Sequence, residues 1–234
     1  SWARGRPREY DLVAAEAQIA MFEGRWTEGE ALYRRAADLA VARGLPGTAA
    51  GSRAHLAWLE AVYRPGPDLA ARVSRMIDLG TTGDESATST PRLRAAVALG
   101  LAGRREQALA IVTGAEARSP ESTYVQSVLG PSTRAAWLLH AGRPMEAVTQ
   151  LEPARRTETG GLGALIPIYL RAEAYRAAAR QADAVREYAR LLQHRGVDPY
   201  APMVAMAHLG LARARVATGD LTAGRVAYEA VLAI

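Results

Sequence analysis

ALIPIYLRAEAYRAAARQADAVREYARLLQHRG, residues 164–196, is the stretch whose reading decides the fold. It divides into two amphipathic halves about a turn centred on Ala179. Small residues (Ala172, Ala184) stand where paired helices touch, and Tyr188 follows nine residues after the turn. The next stretch, VAMAHLGLARARVATGDLTAGRVAYEAVLAI (204–234), repeats the plan around Gly219, with Tyr228 nine residues on. An apolar stripe at helical spacing on each side of a tight turn specifies a helical hairpin. Two in succession specify a repeat.

The same plan extends towards the N-terminus. Leu12, Ala15, Ile19 and Phe22 share one helical face before Gly24, and Thr27 with Glu30 has the spacing of a capping box. A second helix ends near Gly44–Gly47, and a third, through Trp58 and Val62, stops at Arg64-Pro65-Gly66-Pro67, where proline cannot continue it. Leu69, Val73, Met76, Ile77 and Leu79 define a fourth, and the aperiodic run 80–90 is expected to be a loop. Thr90-Pro91 and Ser119-Pro120-Glu121 each combine a capping residue with proline at a helix start. Turns follow at Gly103 and Gly142, with a kink expected near Gly130-Pro131, a stop near Pro153 and a second loop over 155–163.

The turn centres Gly24, Gly66, Gly103, Gly142, Ala179 and Gly219 lie 42, 37, 39, 37 and 40 residues apart. No stretch sustains a period of two. The expectation is an all-α chain, an α-solenoid of about six stacked hairpins in which each repeat hides its apolar face against its neighbours. Residues 1–9 are expected to be a frayed lead-in and 10–234 a single repeat domain. The lack of an initiating Met suggests a fragment of a longer protein.

Composition narrows the function. The 234 residues contain no cysteine, which excludes disulfides, thiolate metal sites and cysteine nucleophiles. Apolar runs fall far short of the roughly 20 residues of a membrane span, and no signal peptide is present, so the expected location is the cytoplasm. A net charge of +5 invites a nucleic-acid reading. All 29 basic residues are Arg, however, and they are spread along the chain: nine against eight acids over 1–64, eleven against ten over 65–164, nine against six over 165–234. No basic helix results, and no nucleic-acid binding by this chain is expected.

Chemistry-bearing patterns are equally sparse. His55, His140, His194 and His208 have no ligand partner at i+3 or i+4, so no metal or cofactor is expected. Gly160-Gly161-Leu162-Gly163 lacks the Lys-Ser/Thr and the preceding strand of a phosphate loop and reads as a linker. The carboxylates cluster near helix starts, where they complement the dipole. No catalytic residue is expected, and the chain reads as non-enzymatic.

Ala172, Tyr175, Ala184 and Tyr188 around Ala179 resemble the tetratricopeptide repeat (TPR), although the period here exceeds its usual length of about 34 residues. The last repeat departs from the pattern at Arg215 and Gly224, and the first at Gly29. More specifically, SPESTYVQSVLGPSTRAA (119–136), LIPIYLRAEAY (165–175) and AHLGLARARVATGD (207–220) resemble the C-terminal region of bacterial eukaryotic-like serine/threonine protein kinases. Similar regions follow winged-helix domains in bacterial regulators. The resemblance implies a TPR-like right-handed superhelix acting as a scaffold or partner-recruiting arm of such a kinase. The alternative is a ligand-sensing or dimerising arm of a winged-helix transcriptional regulator. The glycine-rich loop, HRD and DFG motifs are absent from this chain, so no kinase residue carries over.

In such a solenoid the first helix of each hairpin lines the concave surface. That places Ile166, Tyr169, Glu173 and Arg176 in the groove from one repeat, and Met206, Leu209 and Arg213 from the next. Gln18, Met21, Phe22 and His140 extend it. Arg reads carboxylates and Tyr offers rigid contact area, so the expected partner is a protein or peptide. The apolar end Ala230–Ile234 suggests a missing capping helix and self-association through that end.

Overall fold

The computed structural model describes residues 8–77, 90–161, 163, 165–198 and 201–232. The expected loop 80–90, except for Thr90, lies outside the described residues, as does residue 79. Among the described residues every regular element is helical: α1 (Glu9–Phe22), α2 (Trp26–Ala42), α3 (Pro46–Tyr63), α4 (Leu69–Met76), α5 (Thr90–Leu101), α6 (Arg105–Arg118), α7 (Gly130–His140), α8 (Pro144–Gln150), α9 (Ile166–Ala177), α10 (Gln181–Gln193), α11 (Pro202–Ala217) and α12 (Leu221–Leu232). No described helix is long and apolar enough to cross a membrane.

One turn recurs. Gly24, Gly44, Gly103, Gly142 and Gly219 have φ between 69° and 84°, and Ala179 has φ 57°. The next N–H in each case bonds a carbonyl five residues back: Arg25 to Ala20, Leu45 to Ala40, Arg104 to Leu99, Arg143 to Leu138, Arg180 to Tyr175 and Asp220 to Arg215. This closure satisfies the last carbonyls of the helix and reverses the chain with a left-handed residue. Five of the six expected turn centres have this form. Gly66 does not; there the prolines on either side of it end α3 and set up the short α4.

Several expected starts are corrected. Thr27 lies inside α2, whose N-cap is Arg25, with no side-chain cap. Ser119 is the C-cap of α6, and it is Ser122 whose Oγ faces the Val125 N–H at 3.5 Å. Glu9 is not part of a frayed lead-in: it opens α1, is buried, and pairs with Arg35 at 2.8 Å. The kink near Pro131 takes the form of a π-helical segment, Val125–Leu129, in which the Gly130 N–H reaches back to the Val125 carbonyl. Widening the helix by one residue just before a proline makes room for its ring.

Helices adjacent in sequence pack together, and so do alternate ones: α3 on α5, α5 on α7, α7 on α9 and α9 on α11. Helix α11 also packs on α3, so these five inner helices complete a circuit of contacts. The Tyr63 hydroxyl fastens it by donating to the Pro202 carbonyl at 3.1 Å, and Trp58 meets Tyr169 edge-on, centroids 6.3 Å apart. Small residues permit the approach. A Cβ at Gly100 would come within 2.9 Å of Ala136, and one at Gly210 within 2.3 Å of the Tyr188 ring. Tyr188 is fully buried, whereas Tyr228 and its neighbours Leu221, Val226 and Leu232 leave α12 with an exposed apolar stripe.

The expected loop 155–163 is instead organised around charge. After α8 the chain makes a 3-10 turn, Glu152–Arg156, and carries Glu158 inward until it is 0% exposed. Arg171 of α9, also 0% exposed, grips it with two N–H groups at 2.8 and 3.2 Å and gives a third bond to the Leu151 carbonyl at 2.9 Å. Arg190 and Glu187 of α10 complete the cluster, Glu187 lying 3.4 Å from Arg171. Gly163 is required here, since a Cβ would sit 2.7 Å from the Glu158 Cα.

Two stability outcomes follow from these contacts. Ala179→Gly removes a left-handed alanine and raises the unfolding free energy by about 1 kcal/mol in urea titration. Arg171→Ala strands the buried Glu158 charge and lowers it by about 3–5 kcal/mol, and the joint replacement Arg171→Met with Glu158→Leu restores much of the loss.

Candidate functional site

The C-terminal ends of α3, α5 and α7 and the bodies of α9 and α11 converge on a pocket of about 340 Å³. Its wall is apolar where α3, α5 and α7 finish: Val62 and Pro65, Leu101, and Leu139 beside His140. Tyr169, Glu173 and Arg176 enter from successive turns of α9, and Met206 and Arg213 from α11. The His140 imidazole is fixed by a Nδ1 hydrogen bond of 3.0 Å to the Leu101 carbonyl; because that carbonyl accepts, Nδ1 carries the proton.

The charged groups are organised unequally. Arg176 donates to Glu173 at 2.6 and 3.2 Å, and the Tyr188 hydroxyl donates to the other oxygen of the same carboxylate. Burial works against the Arg176 charge, but Glu173 outweighs it and raises the guanidinium above its ordinary value. Tyr188 is itself raised, by burial first and then by the Glu173 charge. Arg213 is exposed and has no ion pair among the described residues. Of the two guanidinium groups at the pocket, Arg213 is therefore the one whose donors are open to a ligand.

The residues expected to form the groove meet different fates. Glu173, Arg176, Met206 and Arg213 come together at the pocket. Tyr169 reaches it only with an edge, being 5% exposed and backed by Trp58. Ile166 is 0% exposed and has no surface to offer a partner, which corrects its placement in the groove. The physical reason is that the first turns of α9, Ile166 to Leu170, pack inside the core, with Trp58 of α3 against Tyr169. Leu209 is half-buried and does not line the pocket. Gln18, Met21 and Phe22 border separate concavities beside Tyr63, so the expected surface is divided. His140 does join. Sequence reasoning missed Val62, Pro65, Leu101 and Leu139 among the contributors. Leu101 and Leu139 stand two and three residues before left-handed turns, as do Ala177 and Arg176, and that shared offset is the signal that marks the two leucines.

Among the described residues no group of three or more His, Asp or Glu side chains could hold a metal ion. No protein-family model, curated protein or solved structure matches the chain.

Tyrosines give the site and its surroundings a pH limit. Burial pushes Tyr63 up to about 12 and also raises Tyr33, Tyr124 and Tyr169. A hydroxyl whose folded pKa lies above its unfolded value of about 10 contributes stability that is complete below pH 10 and lost as pH climbs. Thermal midpoints should therefore fall between pH 10 and 12. In Tyr63→Phe, which has no proton to lose, that fall is shallower by calorimetry.

Proposed function

We propose that the chain is a non-enzymatic protein-interaction module, a solenoid of about six TPR-like hairpins whose central pocket receives a peptide segment of a partner. The recurring left-handed turn and the contacts between alternate helices support the repeat reading. The observation that carries the function is the convergence of Glu173, Arg176, Met206 and Arg213 on one pocket with an apolar wall. Arg213 takes a carboxylate of the partner through charge-assisted hydrogen bonds. Met206, Leu101 and Leu139 receive an apolar side chain beside it. Glu173, held by Arg176 and Tyr188, sets the sign of its own side of the pocket and disfavours an acidic group there.

The sequence resemblance extends this reading to a regulatory or partner-recruiting arm of a bacterial serine/threonine kinase. Sequencing the reading frame in which this segment lies tests that against the arm of a DNA-binding regulator: kinase motifs there support the first, a winged-helix domain the second, and finding neither overturns both.

The pocket is tested by selecting binders from a displayed random peptide library and measuring the best of them by calorimetry. Arg213→Ala should weaken binding about tenfold or more, the cost of a lost charge-assisted bond. The thermal midpoint should stay where it was, because Arg213 makes no ion pair among the described residues. Unchanged affinity in Arg213→Ala and in Arg176→Ala would overturn the assignment.

A further inference from the structure

A second concavity opens on the opposite face of α3. Arg53, Leu56, Glu60 and Arg64 follow one another at helical spacing on that face, half a turn away from Val62 and the central pocket. With Tyr33, Arg34 and Asp38 of α2 and Arg72, Arg75 and Met76 of α4 they enclose about 470 Å³, the size of a small-molecule site.

The charges in this pocket do not cancel. Glu60, 1% exposed, is fully engaged: it accepts from Arg72 at 2.8 Å and from Arg64 at 3.2 Å, while Arg72 also bonds the Arg64 carbonyl. Arg34 is tied to Glu30 at 2.6 Å. Arg53 and Arg75 remain, and among the described residues neither has an ion pair. The carboxylate left to oppose them is Asp38. Glu60 thus acts as an internal anchor that stiffens α3 against α4, and the surplus cations face the cavity. Its floor is apolar, formed by the buried Tyr33, Ala37 and Leu56 with Met76 beside them.

We propose that this pocket binds a small organic anion, its flat or aliphatic body on the Leu56–Met76 floor and its phosphate or carboxylate held by Arg53 and Arg75. Two guanidinium groups without acid partners supply donors matched to either oxyanion. A pocket on the outer side of α3 leaves the central pocket free, so ligand and peptide occupy the chain independently.

The test is calorimetric titration of the full chain with phenyl phosphate, benzoate and, as the neutral control, phenol, at low and at physiological salt. Saturable binding of an anion but not of phenol is expected, and the tighter of the two anions identifies the headgroup. Arg53→Gln and Arg75→Gln should each weaken it about tenfold or more, whereas Arg225→Gln, on α12 and outside both pockets, leaves it unchanged. Asp38→Asn, which removes the opposing charge, should tighten binding severalfold, a gain that a folding defect does not imitate. Absence of saturable anion binding, equal binding of phenol, or full affinity in the Arg53 and Arg75 variants overturns the proposal.

Discussion

The buried pair of Arg171 and Glu158 is the constraint on which the C-terminal half of the structure depends. Withdrawing two charges from water costs several kcal/mol per ion, and their attraction offsets that only when geometry is good and the remaining donors are satisfied. Here the pairing is bidentate, a backbone carbonyl takes a further N–H, and α10 adds both a carboxylate and a second guanidinium, while the buried Nε of Arg171 is left without a hydrogen-bond partner among the described residues. The pair fixes the rotation of α9 about its axis. That rotation sends Ile166 and Ile168 into the core and turns Glu173 and Arg176 towards the pocket. A site residue such as Arg176 therefore owes its position to a charge cluster one turn earlier in its own helix.

The inner helices add a second constraint. Their contacts run from α3 through α5, α7 and α9 to α11 and return to α3. Inner helices can approach closely where small residues occupy the crossing points, as Gly100 of α5 does against Ala136 of α7; Gly210 does the same for α11 against Tyr188 of α10. The result separates two environments that an open groove would have merged. In α9 the early turns, Ile166 to Leu170, are dry and packed, whereas its later turns present Glu173 and Arg176 to the pocket. Function, in the reading proposed above, is confined to the second.

What was legible in the sequence was whatever is periodic or local. Apolar spacing located the helices, and the turn residues announced most of the reversals, Ala179 included, because a left-handed closure needs a small residue or tolerates its strain. Three kinds of feature were hidden. Caps were misread at Thr27 and Ser119, where a side chain of the right type stands one or more residues from the place where the backbone needs it. The burial of Glu158 was invisible because its partners lie 13 and 32 residues further along the chain. Ile166 was misassigned because groove and core share one helical spacing, and only the packing of α9 inside the fold decides which turn of the helix meets water.

The return of α11 to α3 also bears on how the molecule comes apart. A linear array of helix pairs, each touching only its neighbours, loses structure piecemeal from its ends. The Tyr63–Pro202 hydrogen bond spans 139 residues, and with α11 seated on α3 no inner helix is terminal. Helices α3 to α11 should accordingly unfold as one cooperative unit, while α1, α2 and α12, outside it, should open first in hydrogen exchange. The long separation of the closing contacts further makes joining the two ends the slow event of folding, since loop entropy is lost before the contact compensates for it.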